Sequence, residues 1–234
     1  GCGRERREAG DLAHVKRTRT DLPMPPRAHL LLQPAGEGMP RDTMTVDAPE
    51  LGQYGGRFAI AQTSDPRTFN VVMSNDQPTN DIARLLFVGL TEIDNLEQRL
   101  VPSLARAWEH SVDGRRWTFH LRRGACFSDG HPITSADVLF SFALVYDDSL
   151  HPSMQDALKV NGRPYVVSAP DSYTVVIELP RPIALFETLV GLVRVMPRHV
   201  LEPVWRRGGF AWAYGVATSP ESLVTSGAWR LGRH

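Results

Sequence analysis

The sequence predicts a domain that combines helices and strands around a mixed sheet, of either the α/β or the α+β class. Apolar residues alternate with polar ones in 117–121 and 173–179, which is typical of strands with one buried face. Apolar residues recur at helical spacing in 138–146. Of the 234 residues, 42% are hydrophobic and 22% charged, so a sizeable core can form.

The first 54 residues differ from the rest in composition. They are rich in proline, glycine and charge, and only Leu30–Leu32 is apolar for three residues running. This composition is typical of a poorly ordered tether. We therefore divide the chain into a tether, 1–54, and a folded domain, 55–234.

Short elements are predicted at the start of the folded domain. Residues 57–61 fit a strand, which 63–66 end as a turn. Residues 80–88 fit a helix, because apolar residues recur at the spacing of one helical face. Residues 90–94 fit a further short strand.

A first hairpin is predicted over 108–121. Asp113-Gly114 fits a two-residue turn, because glycine accepts a positive φ and aspartate tolerates one. Trp108 and Trp117 are then expected to be cross-strand core partners. A tight turn follows at 127–130.

A second hairpin is predicted to pair 165–167 with 173–179 around a turn at 169–172. Pro180 and Pro182 end its second strand, since proline has no backbone N–H to donate.

The strongest helix prediction covers 135–148. Thr134 and Asp137 have the spacing of an N-cap and an N3 residue in a capping box. The apolar stripe that follows predicts an amphipathic helix. Shorter helices are expected at 184–190 and 198–207.

Charge and hydropathy argue against two classes of protein. Lysine plus arginine and aspartate plus glutamate both number 26, so the formal net charge is zero and a strongly basic nucleic-acid-binding protein is not favoured. No apolar run approaches 18 residues, so no membrane span is predicted.

The two cysteines give different predictions. Cys126 follows Gly124-Ala125 and is expected to be a small buried hydrophobic residue. Cys2 follows Gly1, as at the cleavage point of a bacterial lipoprotein signal, and is a candidate for lipid attachment; an accidental terminal cysteine is the alternative. The chain begins without methionine and ends at His234 after a strand-like segment, from which we expect a piece of a longer protein.

Motifs for catalysis and metal binding are not found in the sequence. There is no G-x-S-x-G, H-E-x-x-H, P-loop or G-x-G-x-x-G. His110, His120 and His131 are spaced too widely for a short ligand motif. Asp147-Asp148 fits a solvated helix end. We therefore predict no catalytic residue, no metal and no cofactor.

One long stretch resembles a known family. The residues Pro102-Ser103-Leu104-Ala105, Trp117–Gly124 and Phe127–Val138 are similar to the pattern P-x-L-A-x-x-W…W-x-F-x-L-R-x-G-x-x-F-x-D-G-x-P of the extracellular solute-binding proteins of family 5. These are substrate-binding subunits of peptide, dipeptide and nickel ABC importers. Weaker matches occur at 88–91, 195–202 and 225–229, and in the last of these Ala228 stands where proline is usual.

The resemblance implies an α/β fold of the type II periplasmic-binding-protein kind, in which two lobes close around a ligand. Family chains are usually about twice as long, so 55–234 is expected to form lobe one, with a mixed sheet and flanking helices, and to lack the second lobe. The motif residues support folding: Asp129-Gly130 turns the chain and Thr134 caps a helix. They do not mark the ligand site.

The resemblance also implies a function. The chain is expected to capture peptides, or a similar small solute such as a nickel complex or a sugar, for a membrane permease, as a monomer and without catalysis. It would reside in the periplasm or on the outer face of the cytoplasmic membrane, held by lipid at Cys2. The alternatives are the ligand-sensing domain of a regulator, or a hydrolase.

Five residues are candidates for ligand contact. Thr63, Ser64 and Asn70 follow the first predicted strand, and loops at strand ends line ligand crevices in α/β sheets. Trp212 and Tyr214 lie near the expected crossing between lobes. The alternatives are hydroxyls that stabilise a turn and aromatic rings that fill a core.

Overall fold

The computed structural model describes residues 61–94 and 98–232. Cys2, the tether at 1–54 and most of the strand predicted at 57–61 lie outside these residues. The described helices are α1 Gln77–Leu86, α2 Ser135–Val145, α3 Phe186–Gly191 and α4 Arg198–Arg206. The described strands are β1 Thr91–Asp94, β2 Arg99–Pro102, β3 Ala105–His110, β4 Arg116–Leu121, β5 Lys159–Val160, β6 Arg163–Pro164, β7 Val166–Asp171 and β8 Thr174–Glu178.

The main sheet has four strands in the order β3-β4-β8-β7. β1 pairs with β2, and β5 pairs with β6, in two smaller sheets. The predicted combination of strands and helices is confirmed. In the described residues, however, every strand pair is antiparallel, whereas a mixed sheet also contains parallel pairs. Short connections explain this for four of the five pairs, because a parallel pair needs a long crossover. The exception is β4 with β8, which are joined by the long segment 122–173 that includes α2.

The turn of the first hairpin is longer than predicted. The loop spans 111–115, with Ser111 N donating to the Arg116 carbonyl at 2.9 Å and Gly114 N donating to the Ser111 carbonyl at 2.9 Å. Only Gly114 has a positive φ, of 65°; the Asp113 carboxylate instead accepts from Ser111 Oγ.

The strand register is nevertheless the one that a turn centred on Asp113-Gly114 produces. Trp117 pairs with His110, and Trp108 pairs with Phe119. The prediction that the two tryptophans are cross-strand partners is therefore wrong. Both nevertheless contact Phe119, with ring centroids 6.4 Å away in each case.

The second hairpin also turns later than predicted. β7 continues to Asp171, which pairs with Thr174, so the turn is at 172–173 and not at 169–172. Pro170 is tolerated inside β7 because β7 is an edge strand of the sheet. The register shifts between Ser168 and Asp171, next to this proline.

Helix α2 begins as predicted. Thr134 is the N-cap, and Asp137 Oδ2 accepts from Thr134 N at 2.9 Å and from Thr134 Oγ1 at 3.0 Å. The helix is not amphipathic, because eight of its eleven residues are buried. It packs against β7, β8 and α4, which leaves it little solvent-facing surface. It ends at Val145, three residues before the predicted end.

Two clusters of buried apolar side chains form the core. The first cluster lies on the main sheet and includes Trp117, Phe119 and Phe142. The second cluster joins α1, α2 and α4 and includes Phe140 and Leu144. Helix α2 contributes side chains to both clusters.

Cys126 is exposed, which contradicts the prediction of a buried side chain. It forms an isolated bridge with Pro132 at the margin of the turn around Asp129. The apolar neighbour Phe127 takes the buried position instead.

Candidate ligand-binding site

A pocket of about 310 Å³ opens beside helix α1. We call it the α1 pocket. Its walls are α1, the loop 71–74, the loop 153–154, Val145 at the end of α2 and the segment 192–194. Its volume is at the lower end of the usual range for small-molecule sites, which is roughly 300–1,000 Å³.

The position of helix α1 explains the polar wall of the pocket. Asp76 is the N-cap and its Oδ1 accepts from Thr79 N at 3.0 Å, which starts the helix three residues before the predicted start. Gln77, Asn80 and Arg84 then follow at helical spacing and line the pocket. Amide side chains both donate and accept, so Gln77 and Asn80 suit a ligand with peptide-like groups.

The opposite wall contains a buried charge. Arg194 Nη1 donates to Glu92 Oε2 at 2.8 Å and to the Phe87 carbonyl at 3.5 Å. Buried charges are usually paired, and Glu92 provides this pairing. Hydrogen bonding also fixes the neighbouring loops, since Ser153 Oγ donates to the Ser74 carbonyl at 2.9 Å.

Thr63 and Ser64 line a second, wider space. This outer groove has a volume of about 850 Å³ and lies between the segment 61–66 and the other side of α1. Asp65 and Asp81 also line it, and Gln77 Nε2 donates to Asp81 Oδ1 at 2.6 Å. The predicted ligand contact of Thr63 and Ser64 stays a prediction, and the structure gives both residues access to a concave surface.

Asn70 and Tyr214 are buried in the second core cluster and its surroundings. Asn70 Nδ2 donates to the Phe210 carbonyl at 2.9 Å. Tyr214 OH donates to the Val224 carbonyl at 3.1 Å, and burial raises the pKa of this phenol. Neither residue lines the α1 pocket or the outer groove. These contacts give both side chains a role in the fold.

Trp212 is 87% exposed at the end of a 3₁₀ turn, Phe210–Trp212. It lines neither the α1 pocket nor the outer groove. The five predicted site residues are therefore not brought together in one place: two line the outer groove, two are buried and one is exposed.

The sequence predictions missed the α1 pocket. One signal was present, because Arg194 interrupts the apolar run Gly191–Met196. A single arginine in such a run is a candidate for a buried charge with a specific partner.

Two further properties concern the described residues only. Within 61–94 and 98–232, no group of three or more His, Cys, Asp or Glu side chains could hold a metal ion. None of the helices in that part of the chain has the length and apolar character needed to cross a membrane.

Comparisons with known proteins give the class to which this fold and pocket belong. A family model described as bacterial extracellular solute-binding proteins, family 5 Middle, matches residues 99–234. The chain belongs to this family.

Two similar proteins have names that describe binding, and one of these names specifies oligopeptides. Over 207 residues, the chain is 30% identical to the periplasmic oligopeptide-binding protein OppA of Salmonella typhimurium, covering 82% of this chain and 35% of OppA. It is 29% identical over 195 residues to a probable ABC transporter-binding protein of Deinococcus radiodurans, covering 81% of this chain and 32% of the relative.

A solved structure supports the fold. The crystal structure of Haemophilus influenzae OppA in complex with RPPGFSPFR is similar with a TM-score of 0.61 and 28% identity. The match covers 73% of this chain and 34% of OppA. The predicted type II periplasmic-binding-protein fold is thereby confirmed as a partial lobe, and the chain spans about a third of the length of these relatives.

Proposed function

We propose that this protein is the ligand-capturing component of an ABC importer and that its ligands are peptides. The observation that carries the proposal is the α1 pocket, in a chain that belongs to family 5. Its lining combines apolar side chains such as Val72 and Val145 with the amides of Gln77 and Asn80. This combination suits a peptide, which presents apolar side chains and polar backbone groups alternately.

In this proposal the protein binds its ligand without changing it chemically. It passes the peptide to a membrane permease, works as a monomer and is located outside the cytoplasmic membrane. The name of the OppA relatives as periplasmic oligopeptide-binding proteins supports this assignment.

The volume of the α1 pocket sets the expected affinity. About 310 Å³ accommodates one side chain and its flanking peptide groups, and not a whole oligopeptide. Since ordering the ligand still costs free energy, we expect millimolar binding by the 234-residue chain, or about 4 kcal/mol.

The test is a ¹H–¹⁵N NMR titration of the 234-residue chain with a mixed pool of tripeptides. We expect shifts at backbone amides around Gln77 and Asn80, and weaker binding by Asn80→Ala. The matched control is Asn161→Gly, which removes an exposed amide in the turn between β5 and β6, where φ is 52° and suits glycine. If tripeptides cause no shift near α1, the proposal is wrong.

We further propose that Cys2 carries lipid. Cys2 lies outside the described residues, and the proposal is supported by its position after Gly1. When the chain is expressed behind a lipoprotein signal, Cys2→Ser is expected to move it from the membrane fraction to the soluble fraction, because serine lacks the thiol to which the anchoring acyl chains are attached. An unchanged distribution would contradict the proposal.

A further inference from the structure

Arg194 is the most deeply buried charged group at the α1 pocket. Its side chain is 5% exposed, and it lies in the segment between α3 and α4. Only Nη1 is used in hydrogen bonds, to Glu92 and to the Phe87 carbonyl. Glu92 balances the charge of Arg194. A guanidinium has five N–H donors, however, so the hydrogen bonds of Nη1 leave the donors of the other two nitrogens unused.

The other two nitrogens of the guanidinium are not used in this way. Among the described residues, neither Nε nor Nη2 of Arg194 has a hydrogen-bond partner. Asn70 Oδ1 is the only fully enclosed side-chain polar atom without a partner in the described part of the chain, so both nitrogens remain accessible. Arg194 is also one of the residues that line the α1 pocket.

Arg84 lines the same pocket from the last turn of α1. It is exposed and forms no ion pair with any described residue. The residues that line the pocket include two arginines and no aspartate or glutamate. Since Glu92 balances Arg194, Arg84 leaves one uncompensated positive charge at the pocket, which favours an anionic group there, although the whole chain has a formal net charge of zero.

We propose that the α1 pocket binds a carboxylate of the ligand, with Arg194 as the fixed donor and Arg84 as the exposed one. The proposal rests on the proposed function and deepens it, by naming acidic groups of peptides as the preferred ligands. A guanidinium fork matches a carboxylate in a bidentate geometry. Val72, Val145 and Val193 line the same space and accommodate the apolar carbons that carry the carboxylate. The carboxylate is either the peptide C-terminus or an acidic side chain.

Matched pairs of probes distinguish these two sources. The first pair is acetyl-trialanine as free acid and as C-terminal amide. The second pair is acetyl-Ala-Glu-Ala-amide and acetyl-Ala-Gln-Ala-amide. Binding to the 234-residue chain is followed by NMR. In at least one pair, we expect the acid to bind about tenfold more tightly than the uncharged amide. This corresponds to a difference of about 1.4 kcal/mol in binding free energy.

Substitutions test the two arginines. Arg84→Gln is expected to reduce the preference for the acid at least threefold without affecting the fold, because Arg84 is exposed. The matched control is Arg207→Gln at the end of α4, which is also exposed and lies outside the pocket. Arg194→Lys keeps the charge but removes the fork, and is expected to reduce the preference while the far-UV circular dichroism stays unchanged.

Butyrate and butyramide separate this inference from the proposed function. If peptides bind but the acid and the amide of each matched pair bind equally, the carboxylate inference is wrong and the proposed function stands. If no peptide binds but butyrate shifts amides around Arg84 and Arg194 more than butyramide does, the pocket binds carboxylates as inferred, whereas the proposed function and the assignment of the carboxylate to peptides are wrong. If neither class of probe binds, both are wrong.

Discussion

At the scale of single residues, Gly227 shows how closely two backbone segments approach. Its N–H donates to the Leu86 carbonyl at 2.8 Å. A Cβ at this position would lie 2.6 Å from the Leu85 carbonyl oxygen and 2.8 Å from that of Leu86. These are rigid backbone atoms, so Gly227→Ala forces the segments apart. We expect a loss of about 1–3 kcal/mol in the free energy of unfolding, measured by urea denaturation.

Gly232→Ala is the matched control for this substitution. Among the described residues, and apart from its chain neighbours, no atom lies within 4 Å of a Cβ built at Gly232. We therefore expect a change within about 0.5 kcal/mol. Equal stability of the two variants would contradict the close approach at Gly227.

The carboxylate of Asp129 predicts a pH dependence. Partial burial alone would raise its pKa, but hydrogen bonds from His199 and from the backbone N–H of His131 outweigh this effect and hold the pKa below its usual value. Asp129 Oδ2 lies 2.7 Å from His199 Nε2. A lowered folded-state pKa contributes stability that is complete above the unfolded pKa of about 3.9 and is lost as pH falls through the folded pKa.

Asp129→Asn removes this contribution. We expect the variant to be less stable than the original chain at pH 6 and to lose less stability between pH 5 and pH 3. Urea midpoints at each pH measure both effects. Asp156→Asn, at an exposed carboxylate, is the matched control for the loss of one negative charge. A variant with the original slope below pH 5 would contradict the argument.

Cys126 and Arg194 show the limits of prediction from residue type. Cysteine is among the most often buried residues and arginine among the least, yet here Cys126 is exposed and Arg194 is buried. Burial depends on which side of a loop faces the core, and Arg194 is stabilised by Glu92, which is 102 positions earlier in the chain. The apolar run Gly191–Met196 makes Arg194 a candidate for burial, but local sequence shows neither its partner Glu92 nor the exposure of Cys126.

At the scale of elements, Asp137 joins two helices. Its Oδ2 closes the first turn of α2 through Thr134, and its Oδ1 accepts from Arg198 N at 3.2 Å at the start of α4. Asp137→Ala removes the acceptor of these part-buried donors. We expect a loss of about 2–4 kcal/mol in the free energy of unfolding, measured by urea denaturation.

Asp156→Ala is the control for Asp137→Ala, because Asp156 is exposed in the first turn of a short 3₁₀ helix. It is expected to change stability by less than about 1 kcal/mol. A loss at Asp137 no larger than this would mean that the hydrogen bonds to Thr134 and Arg198 are not stabilising.

The same helix explains which elements were predictable. The start of α2 follows from Thr134 and Asp137, which lie three residues apart, so local sequence was sufficient. The turn of the first hairpin was predicted at the right place but too short, and the turn of the second hairpin was predicted too early, because the end of a strand depends on its pairing with the neighbouring strand. In the second hairpin, Pro170 was taken as a turn residue, and only the edge position of β7 makes a proline acceptable within the strand.

At the scale of the whole molecule, α2 connects the two core clusters. Phe142 packs in the first and Leu144 in the second. We therefore expect Leu144→Ala, which removes a fully buried side chain and costs about 2–5 kcal/mol, to destabilise both clusters together. With fluorinated tryptophan, the ¹⁹F signals of Trp117 and Trp205 report on the first and second cluster respectively.

Both signals are expected to disappear at one urea concentration and to shift equally in Leu144→Ala. Val112→Ala, at a fully exposed position in the loop between β3 and β4, is the control and is expected to shift neither signal. Separate midpoints for Trp117 and Trp205 would mean that the two clusters unfold independently.

The whole molecule also explains why the candidate site escaped prediction. The family motif lies in β3, β4 and the start of α2, where it supports folding. The α1 pocket is instead assembled from Arg84, Ser153 and Arg194, which are far apart in the chain. Only the packing of α1 against the segments 153–154 and 192–194 brings them together, and the spacing of these residues in the sequence does not predict that packing.

The irregular edges of the main sheet have a consequence for self-association. β3 shifts register between Ala105 and Ala107, and β7 shifts around Pro170, which has no N–H to offer another strand. An incoming strand from a second copy therefore meets an interrupted ladder at either edge, although Val166 presents exposed apolar surface on β7. Both irregularities therefore disfavour edge-to-edge pairing of this sheet with a second copy.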